Sequence, residues 1–491
     1  MRTFRRKHWA AFKEIFLETV YLAEKIGLIK LDKLFALDGS KFRANASPSL
    51  SRKKKNWEKK YNELETQVAA FLEAADEQDR LEEESDLEAE EAARRQEIQR
   101  KLEELRQSRN KTKKTSDNPG EHPPKTESPQ QEDESFEKKD SSGENSSAPD
   151  KSLEIQDDAE QSLQEPDETQ SECNKSVQEQ SAALSESTVL SIEEAEKFIY
   201  QMEKIQGALE VNADASDELY INLTDPTCRT MKMQQSKLPG YNVQFMTNQQ
   251  VIVAMEVTQD ENDQNQLKPL IEQTIENLNL EERDLENPIP FAADAGYNKG
   301  ENLDYLNHQE IFDAHVSMHN RKDESEAEPD GTLFEDGFQY NEEKEHWVCP
   351  QGEILESGRV RQEGDKTVRH FRGKPTACVL CPLRQKCLTT KQDRKLGYKT
   401  LRDDGYRVAR QSMRRKLQTE AGKQVYAKRS SEVEPMIGQL KANHVREKIR
   451  RTGFDNATSE LLLGSLVHNL KKIMRFMEAN AKLGQRLALH P

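Results

Sequence analysis

The chain has 491 residues, of which 34% are hydrophobic and 33% are charged, and its mean hydropathy is −0.97. This composition excludes a protein that is packed core along its whole length. It also contains no apolar run of the roughly 20 residues that cross a bilayer, and no apolar signal segment follows the basic start Met1–Lys7. We therefore expect a soluble cytosolic protein with reduced thiols and no membrane partner.

Charge is distributed unevenly along the chain. The formal net charge is −17, but residues 111–220 alone carry −18, which leaves +1 for the rest. Residues 391–450 carry +10. The acidic pI of about 5.3 therefore reflects one segment, and the basic segment keeps a nucleic-acid partner open.

The amino-terminal part, residues 1–47, is predicted to contain one helix and the first core strand. Apolar residues from Phe4 to Ile26 recur at helical spacing, which indicates an amphipathic helix over 4–29. The apolar run Lys33–Leu37 then predicts a buried strand that ends on Asp38 and continues through Phe42.

Residues 48–219 are predicted to be a charged insert. Trp57, Tyr61, Leu64, Val68 and Phe71 follow coiled-coil spacing, so that 50–110 and 188–211 are interpreted as two arms of an antiparallel helical hairpin. Residues 111–187 lose all periodicity and are rich in Ser, Glu, Asp, Gln and Pro, which is typical of disorder. A solvated helix followed by an unstructured spacer is the alternative.

Residues 220–340 are predicted to resume the core. Strands are expected at 241–245, 251–257 and 289–293, with a helix face between the last two. Together with the strand that ends at Asp38, this order is the ribonuclease H-like arrangement. The fold class is therefore α/β, with a mixed sheet flanked by helices.

Three carboxylates are candidates for one divalent metal site. Asp38 and Asp294 each end a buried strand and are followed by a tight turn, where open α/β sheets present charged groups to a ligand. Glu434 and Lys441, seven residues apart, share a helix face, and Pro435 predicts that this helix begins near Glu434 or kinks there. Oxygen ligands suit Mg²⁺ or Mn²⁺. A turn residue or a helix-start acid is the alternative role for each one.

Four of the six cysteines lie within 39 residues. Cys349, Cys378, Cys381 and Cys387 have spacings that suit a structural Cys₄ zinc site, so that residues 341–392 are predicted to be a zinc-ribbon-like module with little core of its own. His346 or His370 could replace one thiolate, and unmetallated thiols are the alternative. Cys173 and Cys228 have no partner in this pattern.

The last part, residues 393–491, is predicted to be a basic helical segment that carries Glu434. Its arginines and lysines indicate either a solvated helical face or a surface that follows phosphates. The apolar positions from Leu461 to Met474 predict a helix that packs on the core.

Several motifs together resemble the DDE transposases of bacterial insertion sequences, over roughly residues 1–47 and 220–478 and in that family's order. The motifs are Leu37–Lys41 with Ala44–Ser47, Leu223–Pro226, Gly240–Asn242, Ala293–Tyr297, the cysteine segment, Val433–Pro435 with Gly438, Gln439 and Lys441, and Val467–Lys471. The resemblance implies that Asp38, Asp294 and Glu434 bind the catalytic metal. Tyr426, Arg429 and Lys441 resemble the family's companions of the Glu, which contact phosphate.

The resemblance further implies a homodimer that cuts double-stranded DNA at terminal inverted repeats and joins the 3′ ends to a target. Members of that family usually carry a helical domain before the segment matching Thr3–Arg6, so a truncated copy without activity that only binds DNA is the alternative function. A zinc-bearing scaffold is a third, which leaves the three acids unexplained. The acidic insert is either a DNA mimic or a tolerated expansion; we favour the expansion.

Overall fold

The computed structural model describes residues 9–79, 86–116, 190–233, 235–318, 334–364 and 366–488. The chain forms two compact units. The first comprises Met1–Tyr61 with Lys204–Pro491, and the second is Asn62–Glu203.

A six-stranded mixed sheet forms the centre of the first unit. Its strands are β1 (Phe35–Arg43), β4 (Arg229–Met233), β5 (Ser236–Asn248), β6 (Val251–Thr258), β7 (Ile289–Ala293) and β8 (Phe312–Val316). The strands predicted at 241–245, 251–257 and 289–293 are confirmed. The first strand also continues beyond Asp38, as predicted.

The sheet has an antiparallel half around β5 and a parallel half formed by β1, β7 and β8. The strand β5 pairs antiparallel with β1 on one side, and with β4 and then β6 along its other side. The strand β7 pairs parallel with β1, and β8 parallel with β7. With β6 taken as the neighbour of β5 in place of β4, the strand order is β6–β5–β1–β7–β8. In this order β5 is antiparallel to the other four strands.

Helices cover the sheet and complete a common core. They are α1 (Trp9–Lys25), α5 (Leu267–Asn277), α6 (Gly300–His308), α10 (Arg407–Gln418), α11 (Glu420–Ala427), α12 (Arg429–Gln439) and α13 (Phe454–Ala488). Phe16 of α1 and Leu461 of α13 are buried in the same cluster as the apolar strand residues. Burying each such side chain contributes roughly 1.5–3 kcal/mol. The predicted first helix is confirmed over Trp9–Lys25; its residues 4–8 lie outside the described residues.

Of the two outcomes predicted for Pro435, the helix α12 excludes a start near Glu434 and leaves the kink as a prediction. It begins at Arg429 and contains Pro435 in its interior, so it does not begin near Glu434. A proline inside a helix leaves the carbonyl four residues earlier without its N–H donor. That carbonyl belongs to Ser431, and the Gln250 side chain donates to it at 3.2 Å. The neighbouring turn of the sheet thus supplies the missing hydrogen bond.

The cysteine segment contains a five-stranded antiparallel sheet. Its strands are β9 (Gln339–Asn341), β10 (His346–Val348), β11 (Ile354–Glu363), β12 (Lys366–Arg372) and β13 (Thr400–Asp403). Three short helices lie between β12 and β13: α7 (Pro375–Val379), α8 (Arg384–Cys387) and α9 (Lys391–Leu396). A separate cluster of five buried residues packs this sheet: Trp347, Leu355 and Phe371 lie within the predicted module 341–392, and Phe338 and Leu401 lie outside it.

The insert leaves and rejoins the first unit at one place. The strands β2 (Ser51–Lys53) and β3 (Tyr220–Asn222) pair antiparallel, and Trp57 donates its indole N–H to the Ile221 carbonyl at 2.9 Å. The Tyr61 hydroxyl donates to Gln206 Oε1 at 3.2 Å. The two ends of the insert are therefore held side by side.

Within the second unit, the structure corrects the expected hairpin. The stretch 50–110 is not one arm, because it contains most of two helices, α2 (Lys54–Asp79) and α3 (Asp86–Ser116). Arg106 of α3 pairs with Glu65 of α2 at 2.7 Å, so these helices lie side by side. Arg94 of α3 pairs at 2.8 Å with Glu196 of α4 (Ile192–Val211), which makes three helices. Of the segment predicted to be disordered, 111–116 ends α3 and 117–187 lies outside the described residues.

Among the described residues, none of the helices combines the length and apolarity required to cross a membrane.

Because the insert ends are adjacent, we expect residues 62–203 to be dispensable for folding of the first unit. Replacing them with a flexible linker of about five residues should leave a single cooperative melt within a few degrees of the full chain. Trp57→Ala, which removes a fully buried side chain at the insert root, should instead cost about 3–5 kcal/mol. Loss of cooperative melting in the deletion variant, measured by circular dichroism, would contradict the expectation.

Candidate active site

Two of the predicted acids are neighbours because of strand register. On the parallel strands β1 and β7, Leu37 is paired with Ala293. Asp38 and Asp294 follow these residues directly, and adjacent strands lie about 4.8 Å apart. Equivalent positions on paired strands face the same side of a sheet. The register therefore brings Asp38 and Asp294 side by side at the carboxyl end of β7.

Each acid is also bonded to the backbone that follows it. Asp38 Oδ1 accepts from the Gly39 N–H at 2.9 Å, and Asp294 Oδ1 accepts from the Gly296 N–H at 2.9 Å. Asp294 thereby caps the short 3₁₀ turn Ala295–Tyr297. These bonds use one oxygen of each carboxylate and fix its orientation.

Arg429, at the start of α12, lies against the first acid. Its Nη1 donates to Asp38 Oδ2 at 3.1 Å, and the Arg429 and Asp38 side chains are only 14% and 18% exposed. The guanidinium also lies 6.0 Å from the centre of the Tyr426 ring. Two of the predicted phosphate-binding residues are thus in contact with each other, and one of them contacts an acid.

The acids have perturbed ionisation. Burial, opposed by the Arg429 charge and reinforced by the Asp294 charge, raises the pKa of Asp38 to about 6. Burial also raises the pKa of Asp294, while the Gly296 N–H and the Arg429 charge act in the opposite direction. The single positive charge of Arg429 therefore does not fully compensate the two half-buried carboxylates, Asp38 and Asp294.

Lys441 approaches the same region from the end of α12. The helix continues as a π-helical segment, Leu440–His444, and such segments are frequent at functional sites. Lys441 Nζ lies 5.2 Å from the centre of the Phe42 ring on β1. Burial lowers the pKa of Lys441, and the charges of Glu447 and Asp38 partly restore it.

Glu434 is placed on α12, but the structure does not join it to the two aspartates. Its side chain is exposed, and in the described part of the chain it forms no hydrogen bond or ion pair. No group of three His, Cys, Asp or Glu side chains among the described residues is arranged to hold a metal ion. Its neighbour Glu432 has a structural contact instead, since Glu432 Oε2 accepts from the Gln250 N–H at 3.1 Å.

A further acid, Asp263, lies beside the pair and was not identified from the sequence. It follows β6, and its Oδ1 accepts from Asn242 Nδ2 at 2.6 Å and from Gln244 Nε2 at 2.8 Å. Its charge contributes to raising the pKa of Asp294. The polar loop Gln259–Gln266 contains several acids without periodic spacing, so no sequence signal distinguishes Asp263 from Asp260 or Glu261.

The four clustered cysteines lie next to the second sheet, but among the described residues they are not arranged as a group that could hold a metal ion. Burial raises the pKa of the Cys387 thiol to about 11, Lys399 opposes this shift, and the charges of Cys378, Cys381 and Cys349 add to it. All four cysteines are free of disulfides. Cys349 begins a turn in which its carbonyl accepts from the Gly352 N–H at 2.8 Å.

Part of the basic segment is neutralised internally. Arg410 pairs with Asp404 at 2.6 Å, and Arg414 with Asp336 at 2.8 Å, so these two arginines are fixed by the fold. Three cations near the end of the segment are exposed, namely Arg446, Lys448 and Arg450. Lys448 forms a parallel bridge with Arg43, the last residue of β1.

Comparison with known proteins gives one family match. Residues 348–474 match the family model described as Transposase DDE domain. This range contains the four clustered cysteines, Tyr426, Arg429, Glu434 and Lys441, and it excludes Asp38 and Asp294. A search of curated proteins and a search of solved structures each found no match.

The raised pKa of Asp38 predicts how stability depends on pH in the absence of metal. The folded protein holds this proton up to about pH 6, whereas the unfolded chain releases it near 3.8, so the contribution of Asp38 to stability falls as pH rises between these values. Relative to wild type, Asp38→Asn should gain up to about 3 kcal/mol between pH 4 and pH 6.5. Urea unfolding in EDTA measures this. An equal pH dependence in both proteins, or the same gain in the exposed control Asp214→Asn, would contradict it.

Proposed function

From the similarity of residues 348–474 to the Transposase DDE domain model we propose that the protein cleaves DNA and joins the cut strands with the help of divalent metal. The observation that carries the proposal is the pairing of Asp38 and Asp294 next to Arg429, outside the matched range. Two acids and an arginine from distant parts of the chain meet at one sheet edge. The substrate is double-stranded DNA, at element ends and at the target.

The strand arrangement supports a ribonuclease H-like catalytic core. The order β6–β5–β1–β7–β8, with β5 the antiparallel strand, places one acid on the central strand and the other at the end of its parallel neighbour. Acids at equivalent positions of adjacent parallel strands lie side by side, here within β1 and directly after β7. This placement supports the ribonuclease H-like core that we propose.

Asp38 and Asp294 suit two ligand positions of a Mg²⁺ or Mn²⁺ site, and among the described residues the structure brings no third metal ligand to them. Asp38 and Asp294 supply closely spaced carboxylate oxygens, the ligands that these cations prefer. Each carboxylate has one oxygen bonded to the backbone, which orients the other. When bound, the metal would activate a water or a DNA 3′-hydroxyl and stabilise the leaving oxygen. Glu434, whose exposed carboxylate has no hydrogen bond in the described part of the chain, is proposed as the third ligand.

Arg429 and Lys441 are proposed to bind the phosphate at the cut. Without metal, Arg429 offsets the charge of Asp38 at 3.1 Å. With the Asp38 charge offset by a divalent ion, Arg429 would be available to phosphate oxygens, which its planar guanidinium matches in geometry. Lys441 contributes a second positive charge beside Phe42, and Tyr426 limits where the Arg429 guanidinium can lie.

The exposed cations Arg446, Lys448 and Arg450 are proposed to hold the DNA backbone beyond the site. The bridge from Lys448 to Arg43 attaches this segment to the end of β1, five residues past Asp38. Phosphate contacts of this kind give affinity that falls steeply with salt. The homodimer, the cytoplasmic location, the origin in a bacterial insertion sequence and the truncated amino terminus stay predictions.

We also propose a structural zinc ion in the cysteine module. The thiols of Cys349, Cys378 and Cys381 lie close enough to influence Cys387, and the buried Lys399 provides a positive charge near them. Thiolates with tetrahedral spacing are the usual ligands of structural zinc. Zinc would fix the short helices α7 and α8, which bury no residue of their own, against the second sheet.

The catalytic proposal predicts Mg²⁺- or Mn²⁺-dependent nicking of supercoiled plasmid. Asp38→Asn, Asp294→Asn and Glu434→Gln should each lower the rate by at least about a hundredfold, because each removes a charged metal ligand. Glu434→Gln should leave the melting temperature unchanged, since this side chain is exposed and unbonded.

Glu432→Gln is the matched control for Glu434. It lies two residues away on the same helix, but Glu432 Oε2 is bonded to Gln250, so this change should lower stability and leave nicking largely intact. DNA binding without nicking in the wild-type protein would support the inactive DNA-binding alternative and contradict the enzymatic one.

The zinc proposal predicts about one zinc per chain in protein purified without chelator, measured by elemental analysis. Cys381→Ser should lower the zinc content to near zero and destabilise the second sheet. Cys228→Ala, which changes a buried cysteine of the main core, should retain the metal. Zinc well below one per chain in the wild-type protein would contradict the site.

A further inference from the structure

Asp263 is held in place beside both aspartates by side chains of β5. Its Oδ1 accepts from Asn242 Nδ2 and Gln244 Nε2, at 2.6 Å and 2.8 Å. Carboxylate acceptors make stronger hydrogen bonds than neutral ones, and two donors on one oxygen fix its position. Its Oδ2 forms no hydrogen bond or ion pair with any described residue.

The two glycines that follow the acids are shaped around this carboxylate. A Cβ on Gly39 would lie 2.7 Å from Asp263 Oδ1 and 2.8 Å from Gln244 Nε2. A Cβ on Gly296 would lie 3.0 Å from Asp294 Oδ1 and 3.4 Å from Asp263 Oδ2, so Asp263 is at ordinary contact distance there. Neither glycine has a positive φ, and at Gly39 the close approach of Asp263, not the backbone conformation, excludes a side chain.

A second set of bonds connects the Asp263 loop to the turn that Asp294 caps. Gln244, which donates to Asp263, accepts through Oε1 from the buried Tyr297 hydroxyl. On α6, Asn302 Nδ2 donates to the Gln264 carbonyl at 2.6 Å and to the Tyr297 carbonyl at 3.0 Å. Gln244 and Asn302 therefore each form hydrogen bonds with both the loop after β6 and the turn after β7.

From this geometry we propose that Asp263 is a positioning residue that sets the placement of Asp38 and Asp294 by bracing the backbone of Gly39 and Gly296. The inference deepens the proposed function and rests on it for its catalytic consequence. Asp38 and Asp294 repel each other when ionised, so their separation depends on the backbone that carries them. Asp263 leaves no room for a side chain at Gly39, lies at contact distance from the Cβ position of Gly296, and is itself anchored to β5.

The first test measures placement without using catalysis or metal. In full-length Asp263→Ala, hydrogen exchange should become at least about tenfold faster at the Gly39 and Gly296 amides, which are bonded to the two acids. Asp263→Asn keeps an acceptor oxygen and should show a smaller effect. Asp260→Ala is the matched control, because Asp260 lies in the same loop and its carboxylate accepts from Gln266 Nε2 instead. Unchanged exchange at both glycines in Asp263→Ala would overturn the inference.

The second test measures the catalytic consequence. Asp263→Ala should lower the maximal nicking rate between about ten- and a hundredfold with the KM for plasmid unchanged, since displaced reacting groups reduce the rate without weakening DNA binding. Gly39→Ala should give a similar loss, and the double variant should lose less than the product of the two. A wild-type rate in Asp263→Ala, or fully multiplicative losses, would overturn the inference. If the wild-type protein does not nick, the proposed function fails, and the exchange result alone decides the role of Asp263.

Discussion

The site depends on the parallel pairing of β1 with β7. This pairing fixes Leu37 opposite Ala293, so two carboxylates separated by more than 250 positions in sequence become neighbours. A shift of one residue in this register would turn one of the acids to the opposite face of the sheet. The register is secured by the apolar residues that precede each acid, Phe35 to Leu37 and Phe291 to Ala293, all of which are buried. Core packing therefore determines where the charges lie.

Placing two acids together in a half-buried site opposes stability, and the surrounding structure limits that penalty. Arg429 offsets the charge on Asp38, and backbone N–H groups bond one oxygen of each acid. These contacts do not neutralise the pair fully, since the pKa of Asp38 remains raised to about 6. Clusters of like charge that lower stability are found mostly at functional sites, where the function requires them. A bound divalent cation would remove the imbalance.

The sequence predicted the elements whose pattern is local. Buried strands give continuous apolar runs, so β7 was predicted with its observed bounds and β1 was placed correctly around Asp38. It did not predict Asp263, because a polar loop has no periodicity and its contacts come from Asn242 and Gln244 on another strand. The sequence could not decide between a helix start at Glu434 and a helix that continues through Pro435, because the donor that replaces the missing N–H comes from Gln250, far away in sequence. The five buried apolar residues of the second sheet were not predicted as one cluster, because they are spread over 64 positions and two of them, Phe338 and Leu401, lie outside the predicted module 341–392.

The central claim is that Asp38 and Asp294 share a divalent cation that displaces Arg429 from Asp38. Anomalous X-ray diffraction from crystals of the protein with Mn²⁺ and a DNA end tests it directly. The account predicts an anomalous peak about 2.0–2.3 Å from an oxygen of each of the two aspartates, with Arg429 moved to a phosphate. Manganese bound elsewhere, with the Arg429–Asp38 ion pair intact, would contradict it.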